Sequence, residues 1–372
     1  MQRDEGGSRL LEFMLVGGAT LALFPVMWLL RNGVGLDASD FAVGFVTFYG
    51  AYVINDPHFA VTYLLFYQGA RKRAFSREFK LAYRIRYLLA GAVVPAVLAI
   101  WATVAWSARS TQMLGWMIQL MFLLVGWHYV KQGFGVVVVL SARRGVRINA
   151  RERTVILAHC FAGWAYAWAS PATAAGEFEE KGIIYNAPAH PRWLELATAG
   201  ALALSTAALV WTLVAQGRRE GRMLPLAPLS GFLITVWSWT IYSSIDPLMQ
   251  YVIPALHSMQ YLYFVWLMKR NEAREREGPP LFGRPVAVRL GTLAISALGL
   301  GWLLFRGAPG LLDRAIFSSM HHRGATAAFG RTPFFATVFV IVNIHHYFMD
   351  AVIWRRDNPD TRYLRLAHTA AD

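Results

Sequence analysis

The chain has 372 residues, of which 56% are hydrophobic and 16% are charged, and its mean hydropathy is +0.37. Soluble domains carry roughly 25% charged residues, so this composition argues against a soluble globular protein and favours one embedded in lipid. The formal net charge of +14 would suit nucleic-acid binding. However, Lys and Arg stand in short runs between long apolar segments, which is how membrane proteins distribute charge. The single cysteine, Cys160, excludes an intrachain disulfide framework and a cysteine-based metal cluster.

Long apolar segments recur along the chain and predict an all-α, polytopic integral membrane protein with about ten transmembrane helices in one bundle. A membrane-spanning helix needs about 20 mostly apolar residues, and the first segment is too long for the apolar part of a signal peptide. We therefore expect a retained first helix and a single transmembrane domain over residues 1–372. The predicted spans are 11–31, 41–68, 85–107, 112–141, 154–172, 193–216, 225–245, 248–268, 285–306 and 333–354.

The loops between these spans alternate in charge, and the basic loops follow the even-numbered spans. The loop after span 2 holds Arg71, Lys72, Arg73, Arg77, Lys80 and Arg84. The positive-inside rule predicts that the basic loops and both termini are cytoplasmic, with residues 355–372 as a cytoplasmic tail. Residues 307–332 are then a non-cytoplasmic loop, which fits the rule least well because it carries three arginines and Arg306 directly precedes it.

Four even-numbered spans each carry a histidine in their apolar interior: His58 in span 2, His128 in span 4, His257 in span 8, and His345 or His346 in span 10. Ionisable residues inside a membrane span are costly and mark functional sites. The distance to the next basic boundary runs from 10 residues (345 to 355) to 15 residues (128 to 143). At 1.5 Å per residue this spread is roughly 8 Å of depth, so the four imidazoles can reach a common point.

Polar residues lie close to each histidine, many of them three or four positions away on the same helix face, which indicates a face directed into the bundle. Four neutral imidazoles suit a transition metal: iron(II) first, with zinc and copper also compatible and haem less so. An iron(II) centre with open positions would suit O₂ activation, and its place in the membrane would suit an apolar substrate. The neighbouring side chains could orient the imidazoles or contact substrate: Asn55, Asp56, Lys131, Gln132, Gln260, Tyr261, Asn343 and Asp350.

The remaining histidines favour simpler interpretations. A single histidine in a membrane helix is often a hydrogen-bonding residue between helices, and this is our interpretation of His159. His321 and His322 fall in the predicted outer loop, and adjacent residues on a helix point about 100° apart, so they are poor joint ligands. Lys131 could extend toward the membrane surface, pair with Asp56 or bind a head group.

Four of these segments resemble the Brp/Blh family of membrane-bound β-carotene-cleaving dioxygenases. The matching features are Pro57-His58, His128-Tyr129, His257-Ser258, and His345 followed five residues later by Asp350. The resemblance implies a non-haem iron(II) held by His58, His128, His257 and His345. It also implies O₂-dependent cleavage of a polyene. It favours His345 as the ligand of the last span, whereas the polar face of that span favours His346.

The chain departs from the family pattern at three positions. Thr62 and Gly133 stand where the family has an acidic residue, and Tyr261 stands where it has a second histidine. The chain also has more predicted spans than that family usually shows.

These features favour a membrane-embedded non-haem iron oxidoreductase that acts with O₂ on a lipid, isoprenoid or carotenoid substrate. Its expected partners are that substrate and membrane lipids, without nucleic acid, and the need for an electron donor is left open. A histidine-box desaturase is disfavoured because the HxxxH and HxxHH clusters are missing from the sequence. The same residues are also compatible with a bis-histidine haem protein and with a transporter that has a His, Asp and Lys pathway through broken helices.

Overall fold

The computed structural model describes residues 2–33, 35–170, 175–244, 247–317, 329–330 and 332–365. Helices account for nearly all of the regular structure in these ranges, together with one two-stranded sheet. The predicted helical fold class is confirmed. His321 and His322 lie outside the described residues.

The described residues up to Ala169 form nine α-helices. Two of the junctions between them are π-helical turns, at Met14–Gly18 and Leu89–Val93. The helices are α1 (Gln2–Phe13), α2 (Ala19–Gly33), α3 (Leu36–Gly50), α4 (Asn55–Tyr67), α5 (Ala70–Phe75), α6 (Leu81–Leu88), α7 (Val94–Ser107), α8 (Thr111–Arg143) and α9 (Ala150–Ala169).

The second half begins with a hairpin of strands β1 (Gly176–Glu180) and β2 (Ile183–Ala187). The helices that follow are α10 (Arg192–Glu220), α11 (Leu226–Leu233), α12 (Pro247–Glu277), α13 (Val286–Trp302), α14 (Ala308–Leu312), α15 (Pro333–Ile353) and α16 (Arg362–Arg365). Further π-helical segments are Ile234–Ile241, Leu303–Gly307 and Asp313–Phe317, and 3₁₀ turns are Tyr242–Ser244 and Pro359–Thr361.

Six stretches of helix among the described residues are long and apolar enough to cross a membrane. They are Ser8–Leu30, Leu81–Ser107, Thr111–Arg143, Arg192–Glu220, Val286–Ile316 and Pro333–Ile353. The predicted count of ten is therefore not confirmed.

The remaining four predicted spans are helical but interrupted, short or polar. Span 41–68 breaks at residues 51–54, between α3 and α4. Span 225–245 corresponds to a shorter apolar helix, Leu226–Ile241. Spans 154–172 and 248–268 lie in α9 and α12. These helices have 20 and 31 residues and also carry polar and charged side chains. Part of the predicted loop at 307–332 is also helical, because α14 and Asp313–Phe317 continue α13.

Helix α8 packs against several elements, and its glycines allow close contact. A Cβ atom at Gly126 or Gly133 would come within 2.8 Å of a side chain of α9 or of Ile234–Ile241, and one at Gly115 within 2.3 Å of Tyr185 in β2. Small residues of this kind let membrane helices approach each other closely. These close contacts fix the position of α8 relative to α9, Ile234–Ile241 and β2.

The β hairpin lies against the first turns of α8. Lys181 and Gly182 join its antiparallel strands with positive φ angles of 52° and 86°, as a two-residue hairpin turn requires. The side chain of Gln112 pairs with both backbone groups of Asn186, at 2.8 and 2.9 Å. Tyr185 is buried against α8, so the hairpin covers this end of the helix.

The hydrophobic core is divided along α15. Val340 and Ile344 belong to a buried cluster with α7, α8 and the hairpin. Met349 and Val352 belong to another cluster with α4, α6 and α12. The two clusters meet just after His346, because Tyr347 belongs to the first cluster and Phe348 packs against both.

Candidate metal centre

Four helices bring one histidine each to a common point. His58 of α4, His128 of α8, His257 of α12 and His346 of α15 are at most 5% exposed. Their rings form a closed cycle, with centroid distances of 4.5 Å (58 to 346), 5.0 Å (346 to 128), 4.8 Å (128 to 257) and 5.0 Å (257 to 58). One ring nitrogen from each lies within 4.8 Å of the others. We call these residues the four-histidine group.

The group could hold a metal ion. Histidine nitrogens bind transition metals at about 2.0–2.1 Å, so two ligands on opposite sides of an ion are up to about 4.2 Å apart. Small side-chain rotations would bring the four nitrogens from their present separation to that range. Neutral imidazole is a ligand for iron, zinc and copper alike, so the donor set does not by itself select one metal.

Unpaired nitrogens support this interpretation. His58 Nε2, His257 Nδ1 and both ring nitrogens of His346 are buried without a hydrogen-bond partner among the described residues. His128 Nε2 and His257 Nε2 lie 3.1 Å apart and face each other. An unsatisfied buried polar atom costs about 1–3 kcal/mol, so several within one small volume indicate a group that accepts a shared ligand.

His345 lies outside the four-histidine group, although it is adjacent in sequence to His346. Successive helical residues point about 100° apart, and the ring of His345 is directed to α4, where its Nδ1 lies 3.0 Å from the hydroxyl of Tyr63. The structure therefore brings His346 to the group, as the polar face of the span suggested, and not the histidine favoured by the family offset.

Asp350 places a carboxylate at the edge of the group. Its Oδ2 atom lies 3.4 Å from Nε2 of His346 and 3.7 Å from Nε2 of His128, and has no hydrogen-bond partner in the described part of the chain. Its Oδ1 atom accepts a hydrogen bond of 2.8 Å from the hydroxyl of Tyr261, which in turn lies 2.6 Å from Thr62 Oγ1. This anchoring leaves Oδ2 directed at the two imidazoles.

His58 is oriented from α12. Ser258 Oγ lies 3.1 Å from His58 Nδ1 and donates to Asn55 Oδ1 at 3.0 Å. Pro57 lies in the first turn of α4, where its missing N–H is tolerated, and His58 directly follows it. Ser258 was not among the predicted site residues, because it is adjacent to His257 and points to a different side of α12.

Two of the predicted neighbours form a second network beside His257. The side chain of Gln132 donates to the backbone carbonyl of His257 at 3.2 Å and to Gln260 Oε1 at 2.7 Å. Gln260 donates onward to the carbonyl of Val16. These bonds connect α8, α12 and the π-helical turn Met14–Gly18 at the level of the site.

Three predicted residues have partners away from the four-histidine group. Asn343 accepts a hydrogen bond of 3.1 Å from Tyr347, whose ring lies 4.9 Å from that of His128. Lys131 places its ammonium 5.9 Å from the ring of Phe134. Asp56 pairs with an arginine of the π-helical segment after α13, and not with Lys131.

His159 is buried on α9 and lies 3.2 Å from Ser205 of α10 through its Nδ1 atom. This contact between helices is the structural role predicted for His159. Cys160 is a buried free cysteine.

Comparisons with protein-family models, with curated proteins and with solved structures found no match to this chain. The Brp/Blh resemblance therefore remains a prediction from the histidine segments.

Proposed function

We propose that this protein is a membrane-embedded non-haem iron oxidoreductase that acts with O₂ on an apolar lipid or isoprenoid substrate. The convergence of four buried imidazoles from four different helices carries the proposal, and three of the rings have an unpaired nitrogen among the described residues. Two of the four histidines, His128 and His346, lie on helices that are long and apolar enough to cross a membrane, which fits a substrate dissolved in the bilayer.

The proposed iron ligands are His58, His128, His257 and His346. A bound iron(II) with an open position would supply the activation of O₂. The carboxylate of Asp350 would fix the orientation of the adjacent imidazoles, because outer partners of histidine ligands hold the rings in place.

Aromatic side chains would keep water from this site. The rings of Phe59, Tyr129 and Tyr347 lie 4.6, 4.5 and 4.9 Å from the rings of three of the histidines. Their apolar faces would favour a hydrocarbon substrate over a hydrated one. A polyene is the substrate implied by the motif resemblance, and it meets this requirement.

Metal analysis with an optical spectrum of the detergent-purified protein tests the proposal. We expect stoichiometric iron without a Soret band in the wild type, and its loss in His128→Ala and His257→Ala. His159→Ala is the matched control, because it removes a buried histidine from another helix and should retain the metal. O₂ uptake with carotenoids and lipids would then identify the substrate.

A folded wild-type protein that binds no metal would contradict the proposal. The polar residues of the bundle would then favour a transporter, and substrate flux in proteoliposomes is the assay for that activity. A Soret band would instead identify a haem protein.

A further inference from the structure

A buried ion pair lies beside the proposed metal site. Asp56, two residues before His58, faces Arg306 of the π-helical segment Leu303–Gly307. The two side chains are 4% and 17% exposed. Gly301 brings the helices together here, because a Cβ atom at that position would lie 2.7 Å from the carbonyl carbon of Asp56. Isolated π-helical turns of this kind are frequent at functional sites.

Aromatic rings enclose the guanidinium. Its central carbon lies 4.3 Å from the ring of Phe48, 4.4 Å from that of Tyr52 and 5.5 Å from that of Phe335. Rings within about 6 Å attract a cation through their faces. This enclosure fixes the position of the Arg306 side chain in an otherwise apolar environment.

The pair is incomplete as a hydrogen-bonded contact. Arg306 Nε and Asp56 Oδ2 are 4.0 Å apart, which is too far for a direct hydrogen bond. Both atoms are buried and have no hydrogen-bond partner among the residues that the structure describes. An N–H donor and a carboxylate acceptor are therefore left facing each other across a short gap.

A hydroxyl group satisfies both atoms at once. Its oxygen can accept from Arg306 Nε at about 2.9 Å and donate to Asp56 Oδ2 at about 2.7 Å, and these two lengths span the observed separation in a bent arrangement. A carboxylate head group would accept from the arginine but repel the aspartate. An ammonium head group would be repelled by the arginine. The chemistry of the pair thus selects a neutral group that both donates and accepts.

Aromatic contacts extend from the π-helical segment that carries Arg306 to the four-histidine group. Phe305, adjacent to Arg306, lies 5.1 Å from the ring of Phe59, and Phe59 lies 4.6 Å from the ring of His346. Phe305 also contacts Phe339 at 6.1 Å. A hydrocarbon chain that followed these rings from the ion pair would reach the histidines.

We propose that Asp56 and Arg306 bind the hydroxyl head of an apolar alcohol, and that its chain extends along Phe305 and Phe59 to the metal site. This inference rests on the proposed function and narrows its substrate class to long-chain or isoprenoid alcohols. The hydroxyl would anchor one end of the substrate and fix which part of the chain reaches the histidines.

Photoaffinity labelling in nanodiscs tests this site. Three probes with the same diazirine-bearing chain would carry a hydroxyl, a carboxylate or no polar head, and mass spectrometry would map the labelled peptides. We expect the alcohol to label α4, Val286–Gly307 and α15 at least tenfold more than the other probes, because a hydrogen bond to a charged group is worth about tenfold or more in affinity. Unlabelled alcohol should compete.

Asp56→Asn and Arg306→Gln should each reduce this labelling about tenfold. Arg289→Gln is the matched control, because it breaks an ion pair of α13 with Glu272 (3.7 Å) at the other end of the helix, and it should label as the wild type does. If a variant does not fold, competition by the unlabelled alcohol in the wild-type protein still tests the site.

The outcomes separate this inference from the proposed function. Equal labelling by the three probes would overturn the hydroxyl site even in iron-loaded protein, and it is the result expected if water bridges the pair. A preference for the carboxylate probe would overturn the site as well. A preference for the alcohol in a chain that binds no metal would support the site while the proposed oxidation chemistry fails.

Discussion

Tyr261→Phe should weaken metal binding without removing any proposed ligand. The substitution deletes the hydroxyl that donates to Asp350 Oδ1 at 2.8 Å, and leaves the Trp354 indole and the Thr62 hydroxyl, at 3.5 Å, as the remaining donors. A hydrogen bond to a charged group contributes about 1.5–3 kcal/mol. Loss of partners that orient histidine ligands typically costs about 10–100-fold in metal affinity. We expect a decrease in that range.

A chelator competition assay on the purified protein measures this change directly. Tyr263→Phe is the matched control, because it removes a tyrosine hydroxyl from the same helix whose partner, Glu12, lies away from the histidines. An affinity for iron within twofold of the wild type in Tyr261→Phe, with the fold intact, would refute the role that we give to this hydroxyl.

Three further results are expected. His345→Ala should retain iron whereas His346→Ala should lose it, as metal analysis would show; the reverse result would mean that His345 and not His346 is the ligand. Chelation should lower the midpoint of thermal unfolding in detergent, since a ligand present at about 100 times its Kd stabilises a protein by about 2.7 kcal/mol; an unchanged midpoint would argue against a metal bound in the folded state. Gly115→Val should destabilise the fold by about 1–3 kcal/mol, because even its Cβ would lie 2.3 Å from Tyr185; wild-type resistance to proteolysis of the hairpin would contradict this.

The grouping of the histidines could be predicted because depth in a membrane span can be counted along the sequence. A basic boundary supplies a reference level, and helical rise converts residue number into distance. The same counting could not choose between His345 and His346, since adjacent residues differ in direction and not in depth. That choice depends on the rotation of α15, which Tyr63 and the neighbouring helices determine.

The number of spans was harder to predict because an apolar segment need not be one continuous helix. The break at residues 51–54 divides span 41–68, and Asp56 then donates its backbone N–H to Ala51 at 2.8 Å. The pairing of Asp56 with Arg306 was also missed, since 250 residues separate them in the chain.

The β hairpin was overlooked for a different reason. Its acidic first strand lies between two predicted spans and was interpreted as part of a loop. The second strand alternates in burial in the structure, but Ile183, Ile184 and Tyr185 are apolar in succession, so no alternating pattern of residues predicted a strand.

The four-histidine group also has a consequence for the lifetime of the protein in a cell. The metal-free chain carries several unpaired buried nitrogens at about 1–3 kcal/mol each, against a total folding stability that is typically about 5–15 kcal/mol. Losses of about 1–2 kcal/mol already change cellular abundance several-fold through chaperones and proteases. Newly synthesised chains that fail to acquire metal would therefore be removed preferentially, and the amount of this protein would follow the supply of the ion.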